Sequence, residues 1–260
     1  PSSAASDVYK RQGDRYAETA GIYLPACVNS MFTSQGEGMG ATEAFITVLE
    51  RAGIALEVPR GIEKLCCGTP WSSKGMRKGH DIMEQRVRES IMEATDNARL
   101  PVIVDASSCT AGFQEMLESI GITVIDALSF TADTLLPRLE TTQPVESMTI
   151  HPTCSAFQLG MMGDVEKVAR AAATEVHIPT AWNCCGYAGD RGMLHPELTE
   201  SATRAEAAQV TELGAQYHAS TNRTCELGMT RATGEDYHHI LELLEQASRL
   251  SLIHISEPTR

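Results

Sequence analysis

The cysteines of this chain occur in one order that is used twice, and this order constrains the fold more than any other feature. Each half of the chain has a single cysteine, then an adjacent pair, then another single cysteine. The first set has 38 and then 41 intervening residues, and the second set has 29 and then 39. A duplicated module of roughly 120 residues explains the pattern with one event. The first set is Cys27, Cys66, Cys67 and Cys109, and the second set is Cys154, Cys184, Cys185 and Cys225.

The residues around the cysteines repeat as well. "YLPAC" corresponds to "IHPTC", "CCGTPW" to "CCGYAG", and "DASSCT" to "STNRTC". The polar, proline-containing stretch 131–147 is typical of a boundary, so we predict modules over 13–138 and 148–250. Residues 1–12 and 251–260 resemble translated sequencing-adaptor read-through and are interpreted as artefacts. We therefore expect the chain to be a fragment of a longer protein.

Short apolar segments alternate with amphipathic ones along both halves. The short segments predict buried strands, and apolar residues spaced by three and four predict helices. Strict alternation of strand and helix indicates an α/β fold, here two tandem duplicated modules, each a parallel sheet flanked by helices. The predicted strands are 21–24, 55–58, 101–105, 122–126, "MTIH", "EVHI" and "AQYHA", and the predicted helices are 41–52, 80–96, 156–172, 196–213 and 235–249. The helix over 196–213 starts at Pro196 and is expected to bury Leu198, Ala202, Ala205 and Leu213.

In such a fold the cysteines are expected to meet. The four single cysteines follow predicted strands by two to six residues, and both pairs follow a strand more distantly. Open α/β sheets bind ligands at the carboxyl edge, where these loops lie. The four thiols of each set are therefore predicted to converge.

Four explanations of these thiols compete. They can be buried apolar residues, or disulfides, which intracellular compartments disfavour. Zinc sites usually contain C-x-x-C, which is absent from this sequence, and adjacent cysteines chelate one small ion poorly. An iron-sulfur cluster has several irons, so that neighbouring thiolates can bind different metal atoms. The sequence favours the cluster, with all eight cysteines as metal ligands.

Other residues near the cysteines are candidates for cofactor binding. Gly68 and Gly186 follow the two pairs and allow the backbone to pass close to a bulky group. Asp190 and Arg191 follow in the second loop, where they can contact the cofactor or a partner, or form a turn ion pair.

Histidine and basic residues lie close to the same segments. His151 and His195 can donate to sulfur or replace a ligand, although a lone histidine more often has a structural role. The basic residues Lys74, Arg77 and Lys78 are interpreted as solvated rather than as a docking site.

Charge and hydropathy exclude some classes of partner. The formal net charge of −13 disfavours nucleic acid. No run of 18 apolar residues and no secretory signal occur, so we predict no membrane span and a cytoplasmic location, with a peripheral position at the inner face of the membrane as a variant. No G-x-G-x-x-G follows a strand, so no dinucleotide site is predicted.

The duplicated Cys, Cys-Cys-Gly, Cys pattern resembles the cysteine-rich CCG domain. This domain is found in heterodisulfide reductase subunits, in one of the subunits of glycerol-3-phosphate dehydrogenase, and in the iron-sulfur parts of glycolate- and lactate-oxidising enzymes. The strings "YLPACVNSMF", "HPTCSAFQLG", "CCGYAGDRGMLHPELTESATR" and "STNRTCELGM" resemble the carboxyl-terminal region of D-lactate dehydrogenases that contain FAD and iron-sulfur clusters. Family members with the full pattern end each set in C-x-x-C, whereas Ala106 and Asn222 stand here. Four thiols per set fit a cubane 4Fe-4S cluster.

The resemblance implies an electron-transfer domain with one or two clusters. FAD is expected in a missing upstream domain that oxidises D-lactate or a related 2-hydroxy acid. A ferredoxin-like segment passes the electrons on, and a cytochrome or quinone accepts them. The present chain alone is not expected to oxidise substrate. One alternative is a stand-alone subunit that binds a separate flavoprotein, as in heterodisulfide reductase or glycolate oxidase. Another is a zinc- or thiol-stabilised interaction module.

Overall fold

Two parallel sheets form the framework of the protein. The computed structural model describes residues 19–32 and 38–249. The first sheet has the order β1-β2-β3, and the second has the order β5-β4-β6-β7. All strand pairs are parallel, and helices separate the strands along the chain. The predicted α/β class with two sheet modules is therefore confirmed, while the predicted artefacts at 1–12 and 251–260 lie outside the described residues.

The first module contains three strands, and its helices lie between and after them. Its strands are β1 (Ile22–Leu24), β2 (Val102–Val104) and β3 (Val124–Asp126). Its helices are α1 (Cys27–Met31), α2 (Ala41–Arg51), α3 (Thr69–Ser73), α4 (Arg77–Ala94), α5 (Ser107–Leu117) and α6 (Ala127–Phe130). Short 3-10 turns lie at 62–64, 118–120 and 136–138, and a π-helical turn follows α6 at 131–135.

The second module contains four strands. These are β4 (Val145–His151), β5 (Ala173–His177), β6 (Tyr217–Ser220) and β7 (Tyr237–His239). Its helices are α7 (Cys154–Gln158), α8 (Met162–Ala172), α9 (Arg191–Leu194), α10 (Pro196–Leu213), α11 (Arg223–Thr233) and α12 (Ile240–Ala247). Pro196 occupies the first turn of α10, as predicted.

Four pairs of equivalent helices in the two modules have the same length, whereas α3 and α9 have 5 and 4 residues and α6 and α12 have 4 and 8. Helices α1 and α7 have 5 residues each, α2 and α8 have 11, α4 and α10 have 18, and α5 and α11 have 11. The strand order also agrees, because Glu57 forms a parallel bridge to Ile22 on the outer edge of β1, where β5 lies in the second module. The structural repeat thus extends well beyond the cysteines.

Several predicted elements differ from those observed. Residues 55–58 form only an isolated bridge, because their pairing with 20–23 is short. The predicted helix 156–172 is two helices, α7 and α8, and 235–249 begins as strand β7. Residues 131–147 are largely ordered, with π and 3-10 turns and then β4 from Val145. The module boundaries at 138 and 148 stay a prediction.

The predicted buried face of helix α10 is wrong. Leu198 and Leu213 are exposed, as are Ala202 and Ala205. The helix instead buries a row of mostly polar residues, Thr199, Thr203, Glu206 and Val210. The apolar residues gave the wrong face because the helix packs beside a polar region that includes the buried His151.

The two modules pack through pairs of helices that exchange roles. Helix α12 of the second module packs on α2 of the first, and α6 of the first module packs on α8 of the second. In the same way, α5 of the first module packs on α7 of the second, and α11 of the second packs on α1 of the first. This reciprocity indicates a pseudo-twofold arrangement. One hydrophobic core contains residues of both modules, including Leu49 of α2 and Leu244 of α12.

None of the helices in the described part of the chain combines the length and the apolar character that a membrane span requires.

We expect the modules to unfold together because this core belongs to both. Leu49→Ala should lower the free energy of unfolding by about 2–5 kcal/mol, since it removes a fully buried side chain. Leu213→Ala, at an exposed position, is the matched control and should change this free energy by only a small fraction of that amount. The measurement is urea denaturation of anaerobically purified protein followed by circular dichroism. Two separate transitions, or equal losses in the two variants, would contradict a shared core.

Candidate metal centres

The first set of cysteines converges at the carboxyl edge of the first sheet. Cys27 begins α1, and Cys109 lies in the first turn of α5. The adjacent pair lies in the loop that leads into α3. The Cys67 thiol is in contact with those of Cys66 and Cys109, and the charges of both members of the pair act on Cys27. The structure thus places the thiols of Cys66, Cys67 and Cys109 in contact in a row, with Cys27 near enough to feel the charges of the pair.

Proximity shifts the pKa values of these thiols. The neighbouring Cys67 and then burial raise the pKa of Cys66. Contact with Cys109 raises the pKa of Cys67 to about 11, although Cys66 opposes the shift. Burial, followed by the charges of Cys67 and Cys66, raises the pKa of Cys27. Several thiolates at such close range repel one another, so a positive charge is required before all of them can ionise.

The second set converges in the same way. Cys154 begins α7, and Cys225 lies in the first turn of α11. The sulfurs of Cys185 and Cys225 are 3.1 Å apart. The thiol of Cys184 contacts those of Cys154 and Cys185. All eight cysteines are free thiols, so disulfides are absent from these sets.

A buried histidine and glutamate adjoin the second set. His151, the last residue of β4, has its Nδ1 2.8 and 2.9 Å from the two carboxylate oxygens of Glu206. Burial lowers the pKa of His151, but contacts with Cys225 and Glu206 outweigh it and raise this pKa to about 9. The Cys185 thiol lowers the pKa of Cys225 to about 6, and His151 adds to this effect against the opposing effect of burial. A proton and a metal ion compete for such donors.

The profile of the cysteine-rich CCG domain family matches residues 23–114 and 148–230. These two ranges include every cysteine of both sets. The chain belongs to the cysteine-rich domain family. Each half of the described fold is therefore one cysteine-rich domain.

Two curated relatives have nearly the same span as this pair of cysteine-rich domains. Lactate utilization protein A of Oceanobacillus iheyensis is 23% identical over 221 residues, which cover 76% of this chain and 87% of that protein. The protein of the same name from Macrococcus caseolyticus is 21% identical over 224 residues, with 77% and 88% covered. Among solved structures, a glutamate racemase of Bacillus anthracis covers 89% of this chain and 80% of its own at a TM-score of 0.36 and 13% identity.

The glycine after each cysteine pair has an equivalent place in both cysteine-rich domains. Gly68 and Gly186 have φ angles of 80° and 69°, which disfavour other residues. The backbone N–H of Gly68 donates to the sulfur of Cys66, and that of Gly186 donates to the sulfur of Cys184. A Cβ at Gly68 would also overlap the side chains of Met116 and His80. These glycines thus shape the loop and place an N–H on sulfur.

A second pair of glycines was missed in the sequence. Gly112 and Gly228 each lie three residues after the last cysteine of their set. A Cβ at Gly112 would overlap the carbonyl oxygen of Cys67, and one at Gly228 would lie 3.5 Å from Cβ of Cys185. Gly112 thus lets its helix approach the Cys-Cys-Gly loop closely, whereas a Cβ at Gly228 would make only ordinary van der Waals contact. The repeated Cys-x-x-Gly spacing is the signal that would have found them.

The remaining predicted residues are not gathered around the thiols in the same way. Asp190 pairs with Lys74 at 2.7 Å, so that an exposed ion pair joins the loops of the two domains. Arg191 begins the short helix α9. His195 is exposed, and its Nδ1 lies 3.2 Å from Glu197. The ion pair of Asp190 is therefore not a turn ion pair, and Lys74 is not merely solvated as the sequence suggested, because the pair joins residues of different domains.

Hydroxyl and amide groups connect the surroundings of the two sets. Ser107 of α5 lies 3.1 Å from the Thr153 hydroxyl and 2.6 Å from that of Ser155, on either side of Cys154. The side-chain amide of Asn222 donates to the Ser108 hydroxyl at 3.1 Å. The two candidate centres therefore flank one hydrogen-bonded layer between the domains.

The donor chemistry of both sets fits an iron-sulfur cluster. Each set offers four thiols, and the adjacent pair suits a group that has more than one metal atom. The N–H groups on sulfur are the type of contact that tunes such clusters. The second set offers His151 as a further donor.

Close approach at Gly112 gives a testable prediction. Gly112→Ala should lower the free energy of unfolding by about 1–3 kcal/mol, because the new methyl group meets backbone that cannot move aside easily. Gly163→Ala, in helix α8 where a Cβ meets open space, should be neutral or stabilising by up to about 1 kcal/mol. Urea denaturation of both variants measures the difference. Equal stability of the two would show that the loop does not need the glycine.

Proposed function

We propose that the chain is an iron-sulfur electron-transfer unit that acts in the oxidation of lactate or a related 2-hydroxy acid. The observation that carries the proposal is the convergence of four thiols at one sheet edge in each domain. In this proposal Cys27, Cys66, Cys67 and Cys109 hold one cluster, and Cys154, Cys184, Cys185 and Cys225 hold the other. The two relatives that are named for lactate utilization support the link to lactate.

A cluster is preferred over zinc for a geometric reason. Zinc sites take four donors on one small ion, which two adjacent cysteines satisfy poorly. In both domains the glycine after the pair supplies an N–H to sulfur, and its left-handed conformation turns the chain around the thiols. A bound cluster accepts and donates single electrons. The protein then provides thiolate ligands, N–H donors and exclusion of water from the buried Cys67, Cys185 and Cys225.

The electrons are proposed to come from a flavin. The resemblance to FAD-containing D-lactate dehydrogenases supports an upstream flavin domain and a ferredoxin-like segment in the same polypeptide. The relatives favour a different arrangement, because the matched region makes up 87% and 88% of their length. A stand-alone iron-sulfur subunit that binds a separate flavoprotein is therefore the second candidate.

The acceptor and the location complete the proposal. We propose a cytochrome or a quinone as acceptor, and a cytoplasmic protein that can lie at the inner face of the membrane. The net charge of −13 fits a partner with a basic docking face, because opposite charges steer association.

Metal analysis tests the cluster. Anaerobically purified protein should be brown, absorb near 400 nm and contain about four irons per site with matching sulfide. Cys67→Ser and Cys185→Ser should each remove about half of the iron, because each disrupts one set. The two variants are controls for each other. Zinc without iron, or no metal at all, would favour the interaction-module alternative.

Reduction experiments test the electron source. Lactate added to the cluster-loaded chain alone should not change the absorbance near 400 nm, since no flavin site is predicted in this sequence. Photoreduced free flavin should bleach the same band. Bleaching by lactate alone would contradict the assignment as a relay. The gene sequence upstream of Gly13 separates the two arrangements, because an in-frame flavin domain excludes the stand-alone subunit.

A further inference from the structure

The two candidate centres differ in the residues behind their thiols. Leu24 ends β1 in the first domain, and His151 ends the equivalent strand β4 in the second. Val87 is the eleventh residue of α4, and Glu206 is the eleventh residue of α10. Leu24 and Val87 belong to the apolar core around Cys67 and Cys109. The second domain thus places a polar pair where the first has an apolar one.

Burial of His151 and Glu206 costs free energy that their interactions must offset. His151 and Glu206 are 0% and 1% exposed, and buried ionisable groups are costly unless they are bound. Both carboxylate oxygens of Glu206 lie beside Nδ1 of His151. Nε2 has no hydrogen-bond partner of ordinary geometry within the described residues. Glu206 therefore accounts for one ring nitrogen and leaves the other free to act.

His151 lies close to two thiols of the second set. A ring nitrogen of His151 and the sulfurs of Cys185 and Cys225 all lie within 4.8 Å of one another. Because Nδ1 is held by Glu206, Nε2 is the nitrogen that remains for this position. All three residues are buried, with Cys185 and Cys225 3% and 6% exposed. This is the arrangement of a histidine whose second nitrogen is held by a carboxylate while the first binds metal.

We propose that His151 is a direct ligand of the metal centre in the second domain, with Glu206 as a positioning residue. The second centre then has mixed sulfur and nitrogen ligands, whereas the first has sulfur ligands only. The neutral imidazole takes the place of one of the four thiolates, so the ligand set loses a negative charge and the second centre should be reduced at the higher potential. This inference rests on the proposed iron-sulfur function and extends it by making the two centres unequal.

Pulsed electron paramagnetic resonance tests the ligand. The sample is the Cys67→Ser variant, in which the second centre remains, labelled with 15N-histidine and reduced with dithionite. We expect the large nitrogen coupling of a directly bound imidazole. The His151→Leu/Glu206→Val double variant in this background should lose the coupling. It reproduces the Leu24 and Val87 pair and leaves no buried charge unpaired, so it is expected to fold.

The matched control is His195→Leu, which removes the exposed histidine near the second loop and should keep the coupling. A small coupling in the starting sample would mean that His151 only hydrogen-bonds to sulfur, and would overturn the ligand assignment. Retention of the coupling in the double variant would overturn it as well. Redox titration of the wild type should show two potentials, and the double variant should lower one of them. Absence of iron from the wild type would instead reject the proposed function itself.

Discussion

The contact between each Cys-Cys-Gly loop and the helix that carries the last cysteine of its set determines the shape of both centres. Parallel strands deliver the single cysteines to one edge of the sheet, but the pair arrives on a loop and has no strand to fix it. Gly112 removes the side chain at the point of contact in the first domain, so the loop can lie directly on the helix, and at Gly228 in the second domain a Cβ would lie 3.5 Å from Cβ of Cys185. A buried thiol such as Cys185 then comes within 3.1 Å of Cys225. Convergence of the donors is thus a consequence of backbone packing.

The duplicated scaffold carries centres with different surroundings. Four pairs of equivalent helices, including α4 and α10, have the same lengths in the two domains, whereas the residues behind the thiols differ. An apolar pair, Leu24 and Val87, stabilises the first domain by burial alone. The pair His151 and Glu206 contributes little by burial and is tolerated only if its polar atoms are bound. The two domains share a backbone arrangement but differ at these two positions. The scaffold therefore remains the same while the surroundings of the thiols change.

Local pattern predicted much of this structure, and its failures have physical causes. Short β-branched runs and the spacing of apolar residues identified six of the strands and the helices α2, α4, α8, α10 and α12, but not α5 and α11, which carry the last cysteine of each set. The order of the cysteines predicted which thiols lie near one another. Residues 55–58 failed because a strand at the edge needs a neighbour as well as a suitable composition. Residues 237–239 failed because Tyr-His-His is not an apolar or β-branched run, unlike the other three-residue strands. Helix α10 failed because its buried face is chosen by Glu206 and its partner His151, and a contact 55 residues apart leaves no trace in local spacing.

The interface between the domains explains how two centres can work as one unit. The exposed pair of Lys74 and Asp190 contributes little to stability, because water screens both charges. The shared apolar core supplies the stability, and the layer of Ser107, Thr153 and Ser155 lies directly between residues that flank Cys109 and Cys154. Buried hydroxyl groups that bond to one another resist displacement, since separation would leave them unsatisfied. The two domains therefore hold their thiol sets in a fixed relation, which the proposed relay of single electrons between two centres requires.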